Sequence, residues 1–349
     1  MTTLFNPTSP IQWIEDRGRR TPAYFSNAEN EFHILTQDSG LIDLSHFGIV
    51  AVSGADRLTF LSHLITNQIR HVSPERAIYA ALLTPQGRFL WDFIIIETEE
   101  AYLLCTEPDR VASLTQRLSL YVLRSKVTIT NVSAQFALLA LAGPQSHQHT
   151  RHLFPDMDLE KATLGATFTT PEGIKLWRDP RSADFGWRIL VERQKLTDLW
   201  QTFSEKVQPI GFLAWEHFRI YQSLPRGGNE FIPDLSIPTE SGLIEMNGVD
   251  FTKGCYIGQE TISRTHHRGT LKKRLYQVTF TEPGPFIPSQ STILQLNGQE
   301  SGLLTSFSNL CKPNLGLAIL RVSDVETNHK FSTANRQLTT TKPTWATWD

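Results

Sequence analysis

From about Leu275 the chain changes texture, and that change limits its fold more than any other feature. Short β-like runs (Leu275 to Phe280, Ile293 to Leu296, Leu315 to Leu320) alternate with turns rich in Pro, Gly and Asn. That is the pattern of a small all-β barrel or sandwich. Upstream, strands and helices mix without steady βαβ alternation, so this longer part reads as α+β. At 349 residues the chain has room for two or three domains, each with its own core. It shows no repeat of fixed period and no low-complexity block.

Residues 1 to about 30 read as a helical lead-in, and Gly40 to Val52 as a turn followed by a strand ending at Ser53-Gly54. Asp56 is placed to cap a helix whose apolar positions are Leu58, Leu61, Leu64, Ile65 and Ile69, with Thr66-Asn67 on its last turn. Tyr79 to Leu83 and Arg88 to Ile96 flank Thr84-Pro85-Gln86-Gly87 as a hairpin. A strand Ala101 to Cys105, a helix Asp109 to Leu123 and strands Lys126 to Thr130 and Phe136 to Leu141 follow. Trp187 to Val191 is a further strand, and Lys195 to Val207 and Phe212 to Leu224 are helices. Pro225-Arg226-Gly227-Gly228 ends the second of these.

Net charge is −2, so no global field favours nucleic acid or an anionic membrane, and only Arg264 to Arg274 forms a local basic cluster. The three cysteines, Cys105, Cys255 and Cys311, have no C-x-x-C spacing. A disulfide framework and a four-thiolate metal site from one chain are both excluded, which points to a reducing compartment. The start is too polar for a signal peptide and no apolar run is long enough to span a bilayer. A cytoplasmic protein without membrane partners is expected.

Dinucleotide, P-loop, zinc-hydrolase and serine-hydrolase signatures are all missing, and the adjacent His266-His267 diverge on regular structure, so no metal site is expected. Lys253-Gly254-Cys255-Tyr256-Ile257-Gly258-Gln259-Glu260 stands out instead. Glycines flanking a thiol free the backbone for positive φ and for close approach of a ligand. Lys253 and the basic run beyond it (Arg264, His266, His267 and Arg268, then Gly269) supply nearby cations that favour thiolate chemistry. The plainer alternative is a small buried Cys in a loop. Asp92, beside Trp91, is a candidate general base raised by apolar neighbours, or simply a hydrogen-bonded strand residue. Phe47 and Trp215 suit stacking on a flat ligand, or core packing.

KGCYIGQE followed by RTHHRG resembles the signature of the YgfZ-type folate-binding proteins, which help mature iron–sulfur proteins. Leu41 to Ser45, Val52 to Asp56, Phe60-Leu61 and Thr66-Asn67 look like the N-terminal pattern shared with the glycine-cleavage T-protein, an aminomethyltransferase. The likeness covers roughly residues 40 to 320. It implies a three-domain ring around a folate site, with two intertwined α+β domains and a C-terminal β-barrel. The implied division is 1–130, 131–208, a return segment 209–270 carrying the cysteine motif, and a barrel over 271–349. It further implies tetrahydrofolate as ligand, with Phe47, Trp215, Tyr221, Gly254, Gln259, Glu260 and Arg264 as its contacts. Cys255 is then the functional thiol, with Lys253 and Asp92 beside it in the chemistry. Where the T-protein has two adjacent acids this chain reads Trp91-Asp92, and Trp215 and Tyr221 replace an Arg and a pterin-binding Glu. Those departures favour an accessory factor for iron–sulfur cluster assembly or repair, including clusters of tRNA-modifying enzymes, with client or assembly proteins as partners. A tetrahydrofolate-dependent aminomethyltransferase is the alternative, and an RNA-binding module, resting on the basic cluster, ranks last.

Overall fold

The computed structural model describes residues 10–268, 271–295, 297–327 and 330–348. Gly269 of the basic run lies outside the described residues. A five-stranded antiparallel sheet runs Ile78–Leu83, Phe89–Glu97, Ala101–Thr106, Gly48–Ser53, Thr128–Asn131 from edge to edge. A six-stranded sheet runs Thr167–Thr169, Lys175–Arg178, Trp187–Glu192, Phe136–Ala142, Gly40–Asp43, Pro209–Ile210, with the last pair parallel. Gly40–Asp43 and Gly48–Ser53 are close in sequence but lie in different sheets, which interlaces the two α+β units. The single strand expected after Gly40 is therefore two. An Asx turn separates them, with Asp43 Oδ1 accepting from Ser45 N–H at 2.8 Å.

The strand Phe89–Glu97 is buried on both faces, as its apolar run requires. Phe89, Ile94 and Ile96 join one core, while Trp91, Phe93 and Ile95 join another behind the sheet. Each such side chain taken from water stabilises the fold by about 1.5–3 kcal/mol.

The expected helical lead-in begins in residues 1–9, which lie outside the described residues, and from residue 10 on it is a correction. Gln12–Asp16 and Arg19–Tyr24 form an antiparallel hairpin. Its turn is Arg17-Gly18, with φ of 48° and 77°, the left-handed pair of a type I′ turn that suits strand twist. The hairpin's first strand lies largely exposed, so the apolar alternation that announces a strand is weak. The helix Ala28–Gln37 begins only after Asn27, whose Oδ1 accepts from the N–H of Glu29 and Asn30 at 3.0 and 3.1 Å. Glu31 on that helix is fully buried. Its carboxylate accepts from Phe25, Ser26 and Gly211 N–H, each at 2.7 Å, and so pins hairpin, helix and a distant loop together.

The helix after Asp56 is only Arg57–Ser62. Asp56 does not cap it by its side chain; Oδ2 accepts from Lys126 N–H at 2.7 Å instead. Thr66 and Asn67 lie beyond its end. Thr66 Oγ1 donates to Gly248 O at 2.6 Å, and Asn67 Nδ2 donates to Tyr79 O and Asn247 O, both at 2.8 Å. They tie the return segment to the first sheet.

The C-terminal barrel closes in the order Lys273–Phe280, Leu315–Arg321, Glu300–Ser308, Ser291–Gln295, Phe331–Thr333, Arg336–Thr341. It is joined to the helix Phe212–Tyr221 and to the loop after it by buried polar contacts. Glu230 Oε1 accepts from Ser306 Oγ at 2.6 Å and from Thr305 Oγ1 at 2.9 Å, and His217 Nδ1 lies 2.7 Å from Ser308 Oγ. Burial holds His217 down at about 4, against the usual 6.5. Below pH 6.5 the unfolded chain therefore takes up a proton that the folded chain refuses until about pH 4, so stability falls as pH drops through that window. His217→Gln is expected to remove about 2 kcal/mol of the stability lost between pH 7 and pH 5. Denaturant titrations of both proteins at the two pH values measure it. Equal pH slopes for the two would disprove the assignment.

Candidate functional site

Two features compete for the site. The first is a cavity where the two α+β sheets, the helix Phe212–Tyr221 and the loop after it meet, with about 630 Å³ of atom-free space, part of it open to solvent. Phe47, Asp92 and Trp215 line it, as expected from sequence. Tyr221 does not. It lies six residues beyond Trp215 on one helix, on another face, and is 47% exposed beside Phe32. Gly254, Cys255, Gln259, Glu260 and Arg264 are also absent from the cavity wall.

Strand alternation decides what Trp91 means. Its indole points behind the sheet, where Nε1 donates to Ser113 Oγ at 3.3 Å. Asp92 alone of the pair faces the cavity. The indole lies outside the cavity, and Asp92 is the acid of the pair that lines it. Burial, reinforced by Glu107, raises the Asp92 carboxyl above its ordinary value. Tyr79 Oη donates to it at 2.8 Å. A Cβ on Gly227 would sit 2.1 Å from Asp92 Oδ1, so the backbone at Gly227 packs directly on this acid. Gly227→Ala is expected to cost about 1–3 kcal/mol by overpacking. Adding Asp92→Ala should return part of that loss, and denaturation of the two single variants and the double variant measures the coupling.

Arginines that the sequence reading did not single out dominate the rest of the wall. Asp179 accepts from Arg181 Nε and Nη2 at 2.9 and 2.8 Å, and Arg188 Nη2 lies 3.2 Å from the same carboxylate. Burial acts to raise Asp179, but the two cations outweigh it and hold the acid below its usual value. Burial brings Arg188 down to about 10. Its Nη1 is buried with no hydrogen-bond partner among the described residues, and its guanidinium lies 5.2 Å from the Trp215 ring centroid. Opposite, Arg226 is held by Glu107 and Asp16 and packs over Phe47 and Phe212. Cys105 also lines the cavity, where burial pushes its thiol up to about 12. These partners are far apart in sequence, so no local motif announces them.

The second feature is the cysteine loop. Asp250 Oδ1 accepts from Thr252 N–H at 2.7 Å and Lys253 N–H at 3.2 Å. Lys253 Nζ then donates to the carbonyls of Ser62, Ile65 and Asn67 at 3.0, 2.5 and 2.9 Å. Those bonds use all three of its N–H groups, so the ammonium braces the backbone rather than serving the thiol. Burial lowers Lys253 to about 8. Gly258 has φ of 84° and lies against Thr84 and Leu83, so close approach requires it. Gly254 has open space around it and no left-handed φ, which corrects the reading that both glycines free the backbone. Cys255 itself is exposed. The helix Gln259–Arg268 follows, with Arg264 paired to Glu260 and His266 stacked on Phe251 at 3.9 Å. Arg274 pairs with Glu245 at 3.3 Å and lies over Trp348, so part of the basic cluster is already engaged. Among the described residues no group of three or more His, Cys, Asp or Glu could hold a metal ion.

Residues 8–249 match the family described as GCVT N-terminal domain. Residues 272–348 match the CAF17 C-terminal beta-barrel domain. The chain belongs to the GCVT family. It is 30% identical to the mouse protein named iron-sulfur cluster assembly factor IBA57, mitochondrial, over 94% of this chain and 95% of that one. The human protein of the same name is 33% identical over 78% of this chain and 74% of its own. An aminomethyltransferase of Caldanaerobacter subterraneus is 27% identical over 88% and 83%. The crystal structure of aminomethyltransferase T from Bartonella henselae superposes with a TM-score of 0.74 at 16% identity, covering 94% of this chain and 91% of that one. That likeness shows the fold: an aminomethyltransferase-like body with a six-stranded barrel at its C-terminal end.

Proposed function

We propose that this chain is a folate-binding accessory protein for assembly or repair of iron–sulfur clusters in client enzymes, tRNA-modifying ones included, with Cys255 as its functional thiol. The observation that carries the reading is the construction of the cysteine loop. Asp250, Lys253 and Gly258 fasten its backbone while Cys255 stands exposed between them. Similarity to the IBA57 assembly factors supports the same reading. One thiolate cannot hold a cluster, so partner ligands, a second copy or a small thiol complete any site. A free exposed thiol suits a reducing compartment, and we place the protein in the cytoplasm.

The cavity residues fit a folate head. Phe47 and Trp215 offer aromatic faces, Asp92 an acceptor for ring N–H groups, and the unpartnered Arg188 Nη1 a donor for a ring carbonyl. Aminomethyl transfer stays as a second reading because Asp92, raised by burial, lines the cavity as a candidate base. Two measurements test the proposal. In a strain lacking the protein, the wild-type chain should restore the activity of cluster enzymes. By calorimetry it should bind tetrahydrofolate, and Trp215→Ala should weaken binding about tenfold, the loss of one aromatic contact. A chain that binds no folate would sink the cavity assignment; turnover of a methylamine donor with tetrahydrofolate would favour the second reading.

A further inference from the structure

At one end of the six-stranded sheet lies a pocket with about 910 Å³ of atom-free space, part of it open to solvent, which shares no lining residue with the central cavity. It forms where the helix Ser146–Leu153 begins and the helix Phe212–Tyr221 ends. Arg178 and Trp187 stand side by side as a cross-strand pair, so both side chains leave the sheet on the pocket's face. Arg188, the next residue, points to the other face and lines the cavity. Trp187 is fully buried, and its Nε1–H, which can only donate, has no hydrogen-bond partner among the described residues. Such a donor is costly to leave unpaired, so in a pocket wall it calls for an acceptor. Arg178 is fixed by Nη1 donating to Ala162 O at 2.6 Å, and it has no carboxylate within ion-pair distance among the described residues. His147 stacks on Trp187 with ring centroids 5.8 Å apart, and its Nδ1 is likewise buried without a partner among the described residues. The helix that carries His147 has no side-chain cap and no acid in its first turn, so the positive end of its dipole is unopposed there. Among the described residues Asp184 is the one acid on the wall, and its Oδ2 already accepts from Ser182 Oγ at 3.1 Å.

We infer that this pocket binds a phosphate group, either as the free ion or as the monoester of a small organic molecule. Trp187 Nε1 and the Arg178 guanidinium donate to two of its oxygens, and His147 Nδ1 pairs with a third. With a second pKa of about 6, phosphate readily keeps the one proton that a hydrogen bond to Nδ1 needs. Tyr221, exposed at the rim, offers an aromatic face to the organic part of an ester. The inference stands apart from the folate reading, because the pocket and the cavity lie on opposite faces of the strand Trp187–Glu192.

Calorimetric titration of the full chain with inorganic phosphate and with adenosine monophosphate tests it. Both should bind. Arg178→Gln should abolish binding of either. Trp187→Phe keeps an aromatic ring but removes the N–H, and should weaken binding about tenfold, the loss of one hydrogen bond to a charged group. Arg124→Gln, an exposed arginine outside this pocket, should change nothing. Circular dichroism shows which variants are folded, and either folded pocket variant decides the outcome. An ester that binds more tightly than the free ion, with the difference removed by Tyr221→Ser, supports the site and assigns it to an organic phosphate. Equal affinity for the two supports the site and assigns it to the free ion. A wild-type chain that binds neither probe overturns the inference, and so does binding that a folded Arg178→Gln or Trp187→Phe leaves at full strength.

Discussion

Replacing Arg226 with methionine will cost about 3–5 kcal/mol of folding stability at pH 7, measured by denaturant titration. Arg226 is buried. Its Nε and Nη2 donate to Glu107 at 2.9 and 2.7 Å, and Nη2 also donates to Asp16 at 2.6 Å. Burial acts to raise Glu107, but Arg226 and Arg17 outweigh it and hold the carboxyl below its ordinary value. Asp16 is held down in the same way, by His46 and Arg226 against burial. Methionine keeps much of the packing over Phe47 and Phe212 but leaves two buried carboxylates facing each other. With the main cation gone, burial wins and Glu107 rises above its ordinary value. The variant's unfolded chain then releases a proton more readily than its folded one, so the loss should shrink as pH falls towards 5. Glu107→Gln in the same background should recover part of the stability, because it removes the orphaned charge. A loss below 1 kcal/mol, or one that does not depend on pH, would show that water reaches these carboxylates.

Cys255→Ala should abolish support of cluster enzymes and change almost nothing else. Cys255 is exposed, and surface substitutions of this kind shift stability by about 0.5 kcal/mol or less. It is also absent from the cavity wall, so tetrahydrofolate affinity should match that of the wild type. In a deletion strain, client-enzyme activity should fall to the level seen without the protein. Cys311→Ala should retain full support and serves as the matched thiol control. Full client activity with Cys255→Ala would end the proposed role. A loss accompanied by a lower melting point would instead make the residue structural.

Much of the architecture was legible. The C-terminal barrel showed in short β runs between turn residues, and the hairpin around Thr84 to Gly87 showed in its Pro and Gly. Both are local signals. The N-terminal hairpin escapes a reading by periodicity because a largely exposed strand carries little apolar alternation, although Arg17-Gly18 is a usable turn signal. The apolar spacing extends the helix after Asp56 too far because Leu64 is buried from a turn, Ile65 from a β-bridge to Leu82 and Ile69 from a 3₁₀ segment, not from a continued helix. In the cavity, Phe47, Asp92 and Trp215 were named from sequence, while Arg181, Arg188 and Arg226 were not.

What the chain alone determined is whatever repeats or breaks within a few residues: the change to β texture near Leu275, the turn glycines, and the Lys253 to Glu260 motif. Tertiary structure decided which charges meet. Arg226 finds Glu107 at a separation of 119 residues and Asp16 at 210, and Lys253 reaches Asn67 at 186. Periodicity reports which face of an element is buried, but not what it is buried against. A buried charge is stable only beside its partner, and that partner is chosen by how the two sheets interlace. The same packing turns Lys253 into a brace and leaves the Cys255 thiol exposed.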